Sequence, residues 1–383
     1  MKVLLVGNLS DDKWIGSLIR NLARESDIKI DFFHIITSDR RLSNASQLCE
    51  NVYMVQRHFP AFLYKIPKIG YLLSYVDVPC SLKKFLQGKQ GNGLYDVVNI
   101  HYPQNKVLCC WKHLSAVSKA TLVTPWGSDV LRILKISQKI MAHYMRHYDY
   151  IMSSDNPRFK EQLQKILNIP EKKFVSCDFG SEMIDELCNS TISKDNAKRH
   201  FGIGAQYTIV CGYNGGVAQN HLKIIDSIVS VRNSLPKDIV VVLPMTYNAS
   251  ASYLDEVQNK LVDNKLDHVI LKKYLSNSDM VCLRKCADMF IHAQSTDANS
   301  VSLAEHLLCD NVVVNASWLR YENRETFGMP YYLFDSFEDL PKVIVKAYNG
   351  GAIVPDKLKE SISNEGWSII TKKWLNLFEK ISG

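Results

Sequence analysis

Hydrophobic and polar positions alternate in blocks along this chain, and the blocks predict a repeated order of strand, loop and helix. Short apolar runs of about four to eight residues, bounded by polar residues, are typical of buried strands in a parallel sheet. Segments between them carry apolar residues every three or four positions, which predicts helices. The runs that predict strands are 1–7, 28–36, 95–102, 121–124, 150–154, 174–180, 207–212, 239–247, 268–271, 287–293 and 312–314. This order predicts an α/β protein with parallel sheets.

The length of 383 residues suits two α/β domains rather than one. The stretch 188–200 is polar and has no strong apolar period, so we place the hinge there. The predicted organisation is a first domain over 1–190, a second over 201–355 and a helical tail over 356–383. The tail has an apolar face formed by Trp367, Ile370, Trp374, Leu377 and Phe378.

The stretch 295–306 is the strongest candidate for a functional centre, because a polar loop here joins a buried strand to a helix. The apolar run 287–293 precedes it, and the run 312–314 follows the helix. Open α/β sheets place ligands at the carboxyl ends of their strands, where this loop would lie. Asn299 or Ser300 can cap the helix, whose free N–H groups would then face the loop. A phosphate group would suit that position.

Two acidic residues in this stretch, Asp297 and Glu305, are separated by seven residues. They resemble the acidic pair of glycosyltransferases with the architecture called GT-B, whose usual motif is Glu, seven residues and Glu. The chain departs from this motif, with Asp at the first place and with 310–312 where Gly-x-Pro is common. The resemblance implies a nucleotide-sugar donor site. An ordinary helix N-terminus with a solvated aspartate is the alternative.

The resemblance also implies a fold and roles for single residues. GT-B enzymes have two Rossmann-like domains facing across a cleft, with the last helix crossing back to the first domain. Asp297 would contact the donor sugar and Glu305 the ribose of the nucleotide. The segment with Asn299, Ser300 and Ser302 would hold the diphosphate through its backbone amides.

The loop after the predicted strand 207–212 is the second part of the implied donor site. The large GT4-like group of these enzymes has an arginine and, six residues later, a Lys-Gly pair that grip the diphosphate. This chain has asparagine and an Asn-His pair there, so charge neutralisation must come from other groups. Two glycines would let backbone N–H groups approach a phosphate, with the histidine as a further donor. The candidates are Asn214, Gly215, Gly216, Asn220 and His221.

This loop looks more like that of the 4-acetamido-4,6-dideoxygalactose transferases, which assemble bacterial surface polysaccharides such as O-antigen or capsule. Those enzymes have a Pro-x-x-Tyr segment comparable to Pro244 and Tyr247, which end the predicted strand 239–247. Tyr274 stands in a loop that resembles the family's segment over the nucleotide base. These matches imply further donor contacts.

Three loops of the predicted first domain carry candidate acceptor-binding or catalytic residues. The first, with Asn8 and Asp11, lacks the Gly-x-Gly-x-x-Gly of dinucleotide sites, and a plain turn is its alternative. His101 ends a strand, as is common in related transferases. The turn after 121–124 resembles the family's acceptor-facing turn, and its tryptophan ring suits stacking on a sugar. Its candidates are Trp126, Gly127, Ser128 and Asp129.

The stereochemistry of transfer decides whether the first domain needs a base. An inverting enzyme requires one, and Asp129 or His101 is the candidate. A retaining enzyme, as most relatives with the acidic pair are, requires none. Capping of the next helix is the alternative role for Asp129. The sequence leaves both choices open.

The excess of basic over acidic residues lies in the first half of the chain, and the net charge of the whole chain is +7. Residues 51–150 contain 13 Lys and Arg against 4 Asp and Glu. Within them, 59–86 mixes aromatic, aliphatic and lysine residues, which suits contact with an anionic membrane. Helices packed on the sheet are the alternative. Pro60, Pro67 and Gly70 predict that this segment forms short pieces rather than one long helix.

The composition of the chain limits its cellular location and the kinds of metal or disulfide site that it can contain. The ten cysteines include no Cys-x-x-Cys pair, which argues against zinc or a disulfide scaffold and favours a reducing cytoplasm. No apolar run approaches the length of a membrane span, and the N-terminus is too short and too soon polar for a signal peptide. We therefore expect a cytoplasmic protein, or one peripheral on the inner face of the cytoplasmic membrane. No Asp-x-Asp occurs, so we expect no metal. We also expect no cofactor, with the nucleotide-sugar as a substrate.

These observations favour a metal-independent glycosyltransferase of the hexosyltransferase type. Its expected partners are a nucleotide-sugar donor and a glycan or polyprenyl-diphosphate-linked acceptor, and no nucleic acid. The substituted Arg and Lys positions motivate an alternative, a non-catalytic GT-B-like protein that binds a sugar nucleotide or glycan. An NAD-dependent oxidoreductase is disfavoured, because neither domain opens with the glycine fingerprint.

Overall fold

The computed structural model describes residues 1–37, 41–88, 95–154, 157–204, 206–297, 299–351 and 353–383, with only the backbone of Pro67 and Arg158. The chain forms two compact units. The first comprises Met1–Gly180 together with Trp367–Gly383, and the second is Ser181–Gly366. Each unit has its own parallel sheet.

The first unit has a seven-stranded sheet in the order β3-β2-β1-β4-β5-β6-β7. Its strands are β1 (Lys2–Gly7), β2 (Lys29–His34), β3 (Asn51–Met54), β4 (Tyr95–His101), β5 (Ser118–Thr124), β6 (Tyr150–Ser153) and β7 (Phe174–Ser176). Its helices are α1 (Ser17–Glu25), α2 (Pro67–Gln87), α3 (Asn105–Leu108), α4 (Trp111–Ser115), α5 (Ser128–Leu131), α6 (Lys135–Met145), α7 (Pro157–Leu167) and, from the end of the chain, α17 (Trp367–Ser382). All its strand pairs are parallel.

The second unit has a six-stranded parallel sheet in the order β10-β9-β8-β11-β12-β13. Its strands are β8 (Tyr207–Cys211), β9 (Ile239–Pro244), β10 (Asp267–Leu271), β11 (Met289–His292), β12 (Val312–Ala316) and β13 (Tyr331–Phe334). Its helices are α8 (Glu182–Asn189), α9 (Lys194–His200), α10 (His221–Ser230), α11 (Ala251–Asp263), α12 (Asn277–Cys286), α13 (Val301–Leu308), α14 (Glu322–Glu325), α15 (Leu340–Gly350) and α16 (Asp356–Ser363).

The order of strands in the second sheet defines where a ligand would bind. β8 lies between β9 and β11, so the direction of winding reverses there. In open α/β sheets the loops that follow two such strands diverge and leave a crevice at their carboxyl ends. Here the amide of Ser295 donates to the carbonyl of Ala218, and the Asn220 side-chain amide donates to the carbonyl of Ala293. The loops after β8 and β11 are therefore tied to each other.

The last helix packs on the first unit. Trp367, Ile370, Trp374 and Phe378 are buried in a cluster that also contains residues of α1, β1 and β4. This apolar stripe repeats every three or four residues, as the sequence predicted for the tail. The tail is not a single helix, however. α16 ends at Ser363 and belongs to the second unit, and α17 begins at Trp367.

The boundary between the units also differs from the predicted one. The chain leaves the first unit after Gly180, and the stretch predicted as a hinge at 188–200 contains the whole of α9. Lys194 and Lys198 of that helix both pair with Asp288, directly before β11, at 2.8 Å. α8 packs against α12, α13 and α16. The hinge prediction was wrong because ion pairs, rather than an apolar stripe, hold α9 to its unit.

The segment 59–86 contains one long helix, and the prediction of short pieces was wrong. Pro67 stands at the start of α2, where a missing N–H costs no hydrogen bond. Gly70 lies against Tyr64, where a Cβ would be 2.9 Å from the Tyr64 carbonyl oxygen. Pro79 lies within the helix. α2 buries Val78, Leu82 and Leu86 in the core and exposes its opposite face.

All ten cysteines lie in described parts of the chain, and none is in a disulfide. Across the described ranges, no helix combines the length and the apolar character needed to cross a bilayer.

Candidate functional site

The N-terminus of α13 lies at the crevice between β8 and β11. Ser300 caps the helix, because its hydroxyl accepts a hydrogen bond from the Leu303 amide at 3.2 Å. Of the two residues that could have capped this helix, Ser300 is the one that does. The positive end of the helix therefore points toward the loop after β11.

Asp297 lies in that loop beside a buried polar group. The Tyr321 hydroxyl donates to its Oδ2 at 3.4 Å, and His292 Nε2 is 3.6 Å from the same oxygen. Tyr321 follows β12 and His292 ends β11, so three successive segments of the sheet edge meet at this carboxylate. The sequence predicted Asp297 but neither of its partners.

The neutral form of His292 has a defined tautomer. The Asn315 side-chain amide donates to the carbonyls of Ala316 and Leu319, so its Oδ1 faces His292 Nδ1 at 2.9 Å and accepts its proton. Burial lowers the pKa of His292, while the Asp297 charge opposes that shift. His292 Nε2 then presents a lone pair, and it has no hydrogen-bond partner among the residues described.

Glu305 forms a buried ion pair that the sequence did not predict. Its Oε2 accepts a hydrogen bond from Arg284 Nε at 2.7 Å, and the two side chains are 7% and 3% exposed. Arg284 belongs to α12 and also lies 3.4 Å from His306 Nε2. Nothing in the sequence marks Arg284 as the partner, since 20 residues separate it from Glu305. The pair fixes the carboxylate that was expected to bind ribose.

The backbone amides of the loop after β8 are already engaged. The Gly215 amide donates to the Tyr247 carbonyl at 2.8 Å, and the Gly216 amide donates to Asn214 Oδ1 at 2.8 Å. A Cβ on Gly215 would lie 2.5 Å from Ala249 Cβ. Glycine is thus required there for close packing, and these two amides do not point freely toward a phosphate as the sequence suggested.

Asn220 and His221 hold the start of α10. Asn220 has left-handed backbone angles, and its side chain bridges the loops after β8 and β11 as described above. His221 is fully buried, with Nδ1 3.3 Å from the Tyr253 hydroxyl and Nε2 without a partner in the described structure. Burial lowers the pKa of His221 to about 4, so the ring is neutral near pH 7.

The remaining candidate donor residues are distributed along the sheet edge. Burial raises the pKa of Tyr247, a hydrogen bond with Asn214 and the charge of Arg284 lower it, and the charges of Tyr274 and Glu305 raise it. Pro244 is buried at the end of β9, and Tyr274 is exposed after β10. Ser302 is buried within α13, and its hydroxyl has no partner among the described residues. The structure thus brings Tyr247 close to the ion pair, and Tyr274, although exposed, is close enough to raise the pKa of Tyr247.

The first unit carries an aromatic cluster at the carboxyl edge of its sheet. His101 is buried in contact with Trp126, Phe179 and Trp374, with ring centroids between 5.8 and 6.5 Å. Neither of its ring nitrogens has a described partner, and burial lowers its pKa to about 3. Trp126 Nε1 also lacks one, while Trp14 packs edge-on against the Trp126 ring. The cluster combines aromatic faces with unpaired polar atoms.

The turn after β5 is held by Asp129. Its carboxylate accepts from the Trp126 amide at 3.0 and 3.2 Å, and Gly127 has a φ of 106°, which favours glycine. The Ser128 hydroxyl is 3.3 Å from that of Tyr102. Burial raises the pKa of Asp129 to about 7, against the opposing hydrogen bonds from backbone amides. A carboxyl group in this range can exchange a proton near neutral pH.

Asn8 and Asp11 take part in a local turn. Asn8 Oδ1 accepts from the Ser10 amide at 3.1 Å, and Asp11 Oδ1 accepts from the Trp14 amide at 2.7 Å. These bonds are those of a plain turn after a strand, the alternative considered for them. Nowhere in the described ranges are three or more His, Cys, Asp or Glu side chains grouped so that they could hold a metal ion.

Comparison with known proteins gives structural relatives only. No protein-family model matches the sequence, and no curated protein matches it. A glycosyltransferase from Rickettsia africae ESF-5 has a TM-score of 0.73 at 12% identity, covering 99% of this chain and 98% of the other. HepE from Anabaena, in complex with UDP, has a TM-score of 0.71 at 12% identity, with 99% and 100% covered. Sucrose-phosphate synthase from Thermosynechococcus elongatus has 0.70 at 11%, with 100% and 99% covered.

The likeness extends over both units and confirms the predicted fold class. Two parallel α/β units with Rossmann-like strand order, followed by a last helix that belongs to the first unit, make up the GT-B fold. At 11–12% identity the comparison concerns the fold, and function must be argued from the site.

Proposed function

We propose that this protein is a glycosyltransferase that moves a sugar from a nucleotide-sugar donor to a glycan or a polyprenyl-diphosphate-linked acceptor. The observation that carries the proposal is the crevice of the second unit. There Asp297, the capped N-terminus of α13 and Glu305 lie on one loop and the helix that follows it, and Arg284 of α12 holds Glu305. HepE, which shares the fold over its whole length, binds UDP in its crystal structure.

Each part of this site has a separate role in glycosyl transfer. Asp297 contacts the donor sugar, and its negative charge faces the carbon that becomes electron-poor as the bond to the diphosphate breaks. The N-terminus of α13 stabilises the charge that develops on the diphosphate. Glu305, held by Arg284, accepts hydrogen bonds from the ribose hydroxyls. Of the two candidate bases for an inverting reaction, Asp129 is favoured over His101, because a pKa of about 7 suits a base better than one of about 3.

The proposed donor is an amino-deoxy sugar nucleotide of the kind used by 4-acetamido-4,6-dideoxygalactose transferases, and the product a bacterial surface polysaccharide such as O-antigen or capsule. The motif from Asn214 to His221 and the pair Pro244 and Tyr247 support this choice. We further propose that transfer is independent of metal, since the sequence contains no Asp-x-Asp, and that it uses no cofactor besides the nucleotide-sugar substrate. The protein would work in the cytoplasm.

A second function has specific support. The Gly215 and Gly216 amides are engaged within their own loop, and the Arg and Lys of GT4-like enzymes are missing. A protein with such a loop could bind a sugar nucleotide or glycan without transferring the sugar. The intact Asp297 and Glu305 favour the enzyme.

Binding of nucleotides provides the first test. The full chain should be screened by thermal shift with UDP, GDP, TDP and CMP and their sugars, in the presence of EDTA. We expect one nucleotide to raise Tm by several degrees, because a ligand that binds only the folded state stabilises it. Glu305→Gln should reduce that shift, since it removes the charge and keeps the size of the side chain. If no nucleotide shifts Tm, both the enzyme and the nucleotide-binding alternative are contradicted.

We also propose that the first unit contacts an anionic membrane, where a polyprenyl-linked acceptor would reside. α2 and α6 each expose large apolar side chains, and α3 packs against both helices. Lysines lie among these residues, which matches a surface that inserts apolar groups while its cations meet lipid headgroups. The exposed apolar residues are Phe62, Ile66, Ile69, Tyr71, Leu72, Tyr75, Val76, Leu134, Ile136 and Ile140, and the exposed lysines are Lys65, Lys68, Lys135 and Lys139.

Cosedimentation with vesicles tests this surface. The double variant Leu72→Gln, Leu134→Gln removes two side chains that are 66% and 75% exposed. We expect it to weaken binding to phosphatidylglycerol vesicles by about 10-fold or more, because each buried leucine contributes about 1.5–3 kcal/mol. Ile353→Gln, at a residue 90% exposed in the second unit, is the matched control and should have no effect. Absence of wild-type binding to these vesicles would refute the proposal.

A further inference from the structure

Arg324 is a buried cation whose hydrogen-bonding capacity is mostly unused. It belongs to α14 and is 2% exposed. Its Nη2 donates to Glu365 Oε2 at 2.8 Å and lies 3.4 Å from Asn299 Oδ1. Nε and Nη1 have no hydrogen-bond partner in the described part of the chain. A guanidinium group has five N–H donors, so most of them here lack an acceptor.

The position of Arg324 relates it to the α13 N-terminus. Asn299, the residue it approaches, directly precedes the cap residue Ser300. The free N–H groups and dipole of α13 supply positive potential at that end of the helix. The guanidinium group adds a full positive charge to the same place, and Glu365 offsets only part of it at 22% side-chain exposure. Two independent sources of positive potential therefore meet at one point.

We propose that Arg324 binds the diphosphate of the nucleotide-sugar together with the N-terminus of α13. The loop after β8 lacks positive charge, because asparagines and a neutral His221 stand where GT4-like enzymes have Arg and Lys. Arg324 supplies that positive charge. The guanidinium fork suits phosphate oxygens, because it can donate two parallel hydrogen bonds. This inference rests on the proposed function, and it identifies which residue holds the leaving group.

The test compares nucleoside diphosphates with nucleosides lacking phosphate. For the full-length wild type, Kd is measured by calorimetry for UDP, GDP, TDP and CDP and for the four matching nucleosides. The diphosphate that the wild type binds most tightly, together with its nucleoside, is then used for the variants. Arg324→Met should weaken binding of the diphosphate by about 10- to 100-fold, the usual effect of losing hydrogen bonds to a charged group. Binding of the nucleoside should be unchanged, because it has no phosphate to contact.

Two further variants separate phosphate binding from a structural role. Arg320→Met removes an exposed arginine of the same segment, which pairs with Glu325, and should leave both affinities within about 2-fold. Glu365→Gln breaks the same ion pair as Arg324→Met. If Arg324 binds phosphate, Glu365→Gln should preserve or strengthen diphosphate binding, since it removes the competing negative charge. If the ion pair is only structural, the two variants should weaken binding alike.

The possible results distinguish this inference from the function on which it depends. A wild type that binds none of the four diphosphates would overturn the glycosyltransferase proposal itself. A wild type that binds one of them while Arg324→Met binds it equally well would overturn only the role of Arg324. Equal losses for the diphosphate and the nucleoside in Arg324→Met would do the same, because they would indicate a general loss of site structure.

Discussion

Replacement of Glu305 by alanine is expected to lower the free energy of unfolding of the second unit by about 3–5 kcal/mol, because it leaves a buried arginine without its counter-ion. Arg284 is 3% exposed and has its ion pair with Glu305 at 2.7 Å. The change should lower Tm by roughly 10 °C for a unit of this size. Urea unfolding followed by circular dichroism, together with a thermal melt, measures both quantities.

Two variants show whether the loss comes from the uncompensated charge. Asp310→Asn removes the charge of an exposed acid that pairs with Lys359 at 2.6 Å, keeps a side chain that tolerates the left-handed backbone there (φ 58°), and should cost less than about 1 kcal/mol. The double variant Arg284→Met, Glu305→Leu replaces both charges with apolar groups and should recover most of the stability, since such exchanges are often neutral or stabilising. A loss in Glu305→Ala no larger than in Asp310→Asn would contradict the buried pair.

Replacement of Asp297 by asparagine is expected to reduce turnover of the nucleotide-sugar by about 100-fold or more, the usual effect of removing one charge-stabilising group at a reacting centre. Asparagine keeps the size of the side chain and can still accept from the Tyr321 hydroxyl, so stability should change little. The affinity for the nucleoside diphosphate alone should also be preserved, because Asp297 is assigned to the sugar. Release of nucleoside diphosphate from the donor measures kcat and KM.

Asp335→Asn is the matched control for this prediction. Asp335 is an exposed acid that directly follows β13 on the same sheet, and its replacement should leave turnover unchanged. Wild-type turnover in Asp297→Asn would show that the carboxylate has no part in catalysis. A wild type that binds the nucleotide-sugar but never releases the diphosphate, even with a lipid-linked glycan present, would favour the non-catalytic binding protein.

The local pattern of apolar and polar residues was sufficient to predict the strands and the position of the main candidate loop. Runs such as Val312–Val314 and Ile239–Leu243 are apolar at every position, which is typical of inner strands of a parallel sheet because both of their faces are buried. The sequence is therefore enough to predict these strands. The loop from Ser295 to Ser300 follows such a strand and precedes a capped helix, which places it at the carboxyl edge without further information. The sequence by itself therefore determined the α/β class and the GT-B resemblance, and it predicts Asp297 as a site residue.

Only the tertiary structure decided which side chains act on that residue and on its neighbours. Arg284 lies on a different helix from Glu305, and Arg324 reaches the α13 N-terminus from a segment beyond the next strand. Asn315 sets the tautomer of His292 from the adjacent strand. Periodicity and capping act within a few residues along the chain and can be read from it. Pairing of buried charges depends on which helices are neighbours in space, and no local pattern records that choice.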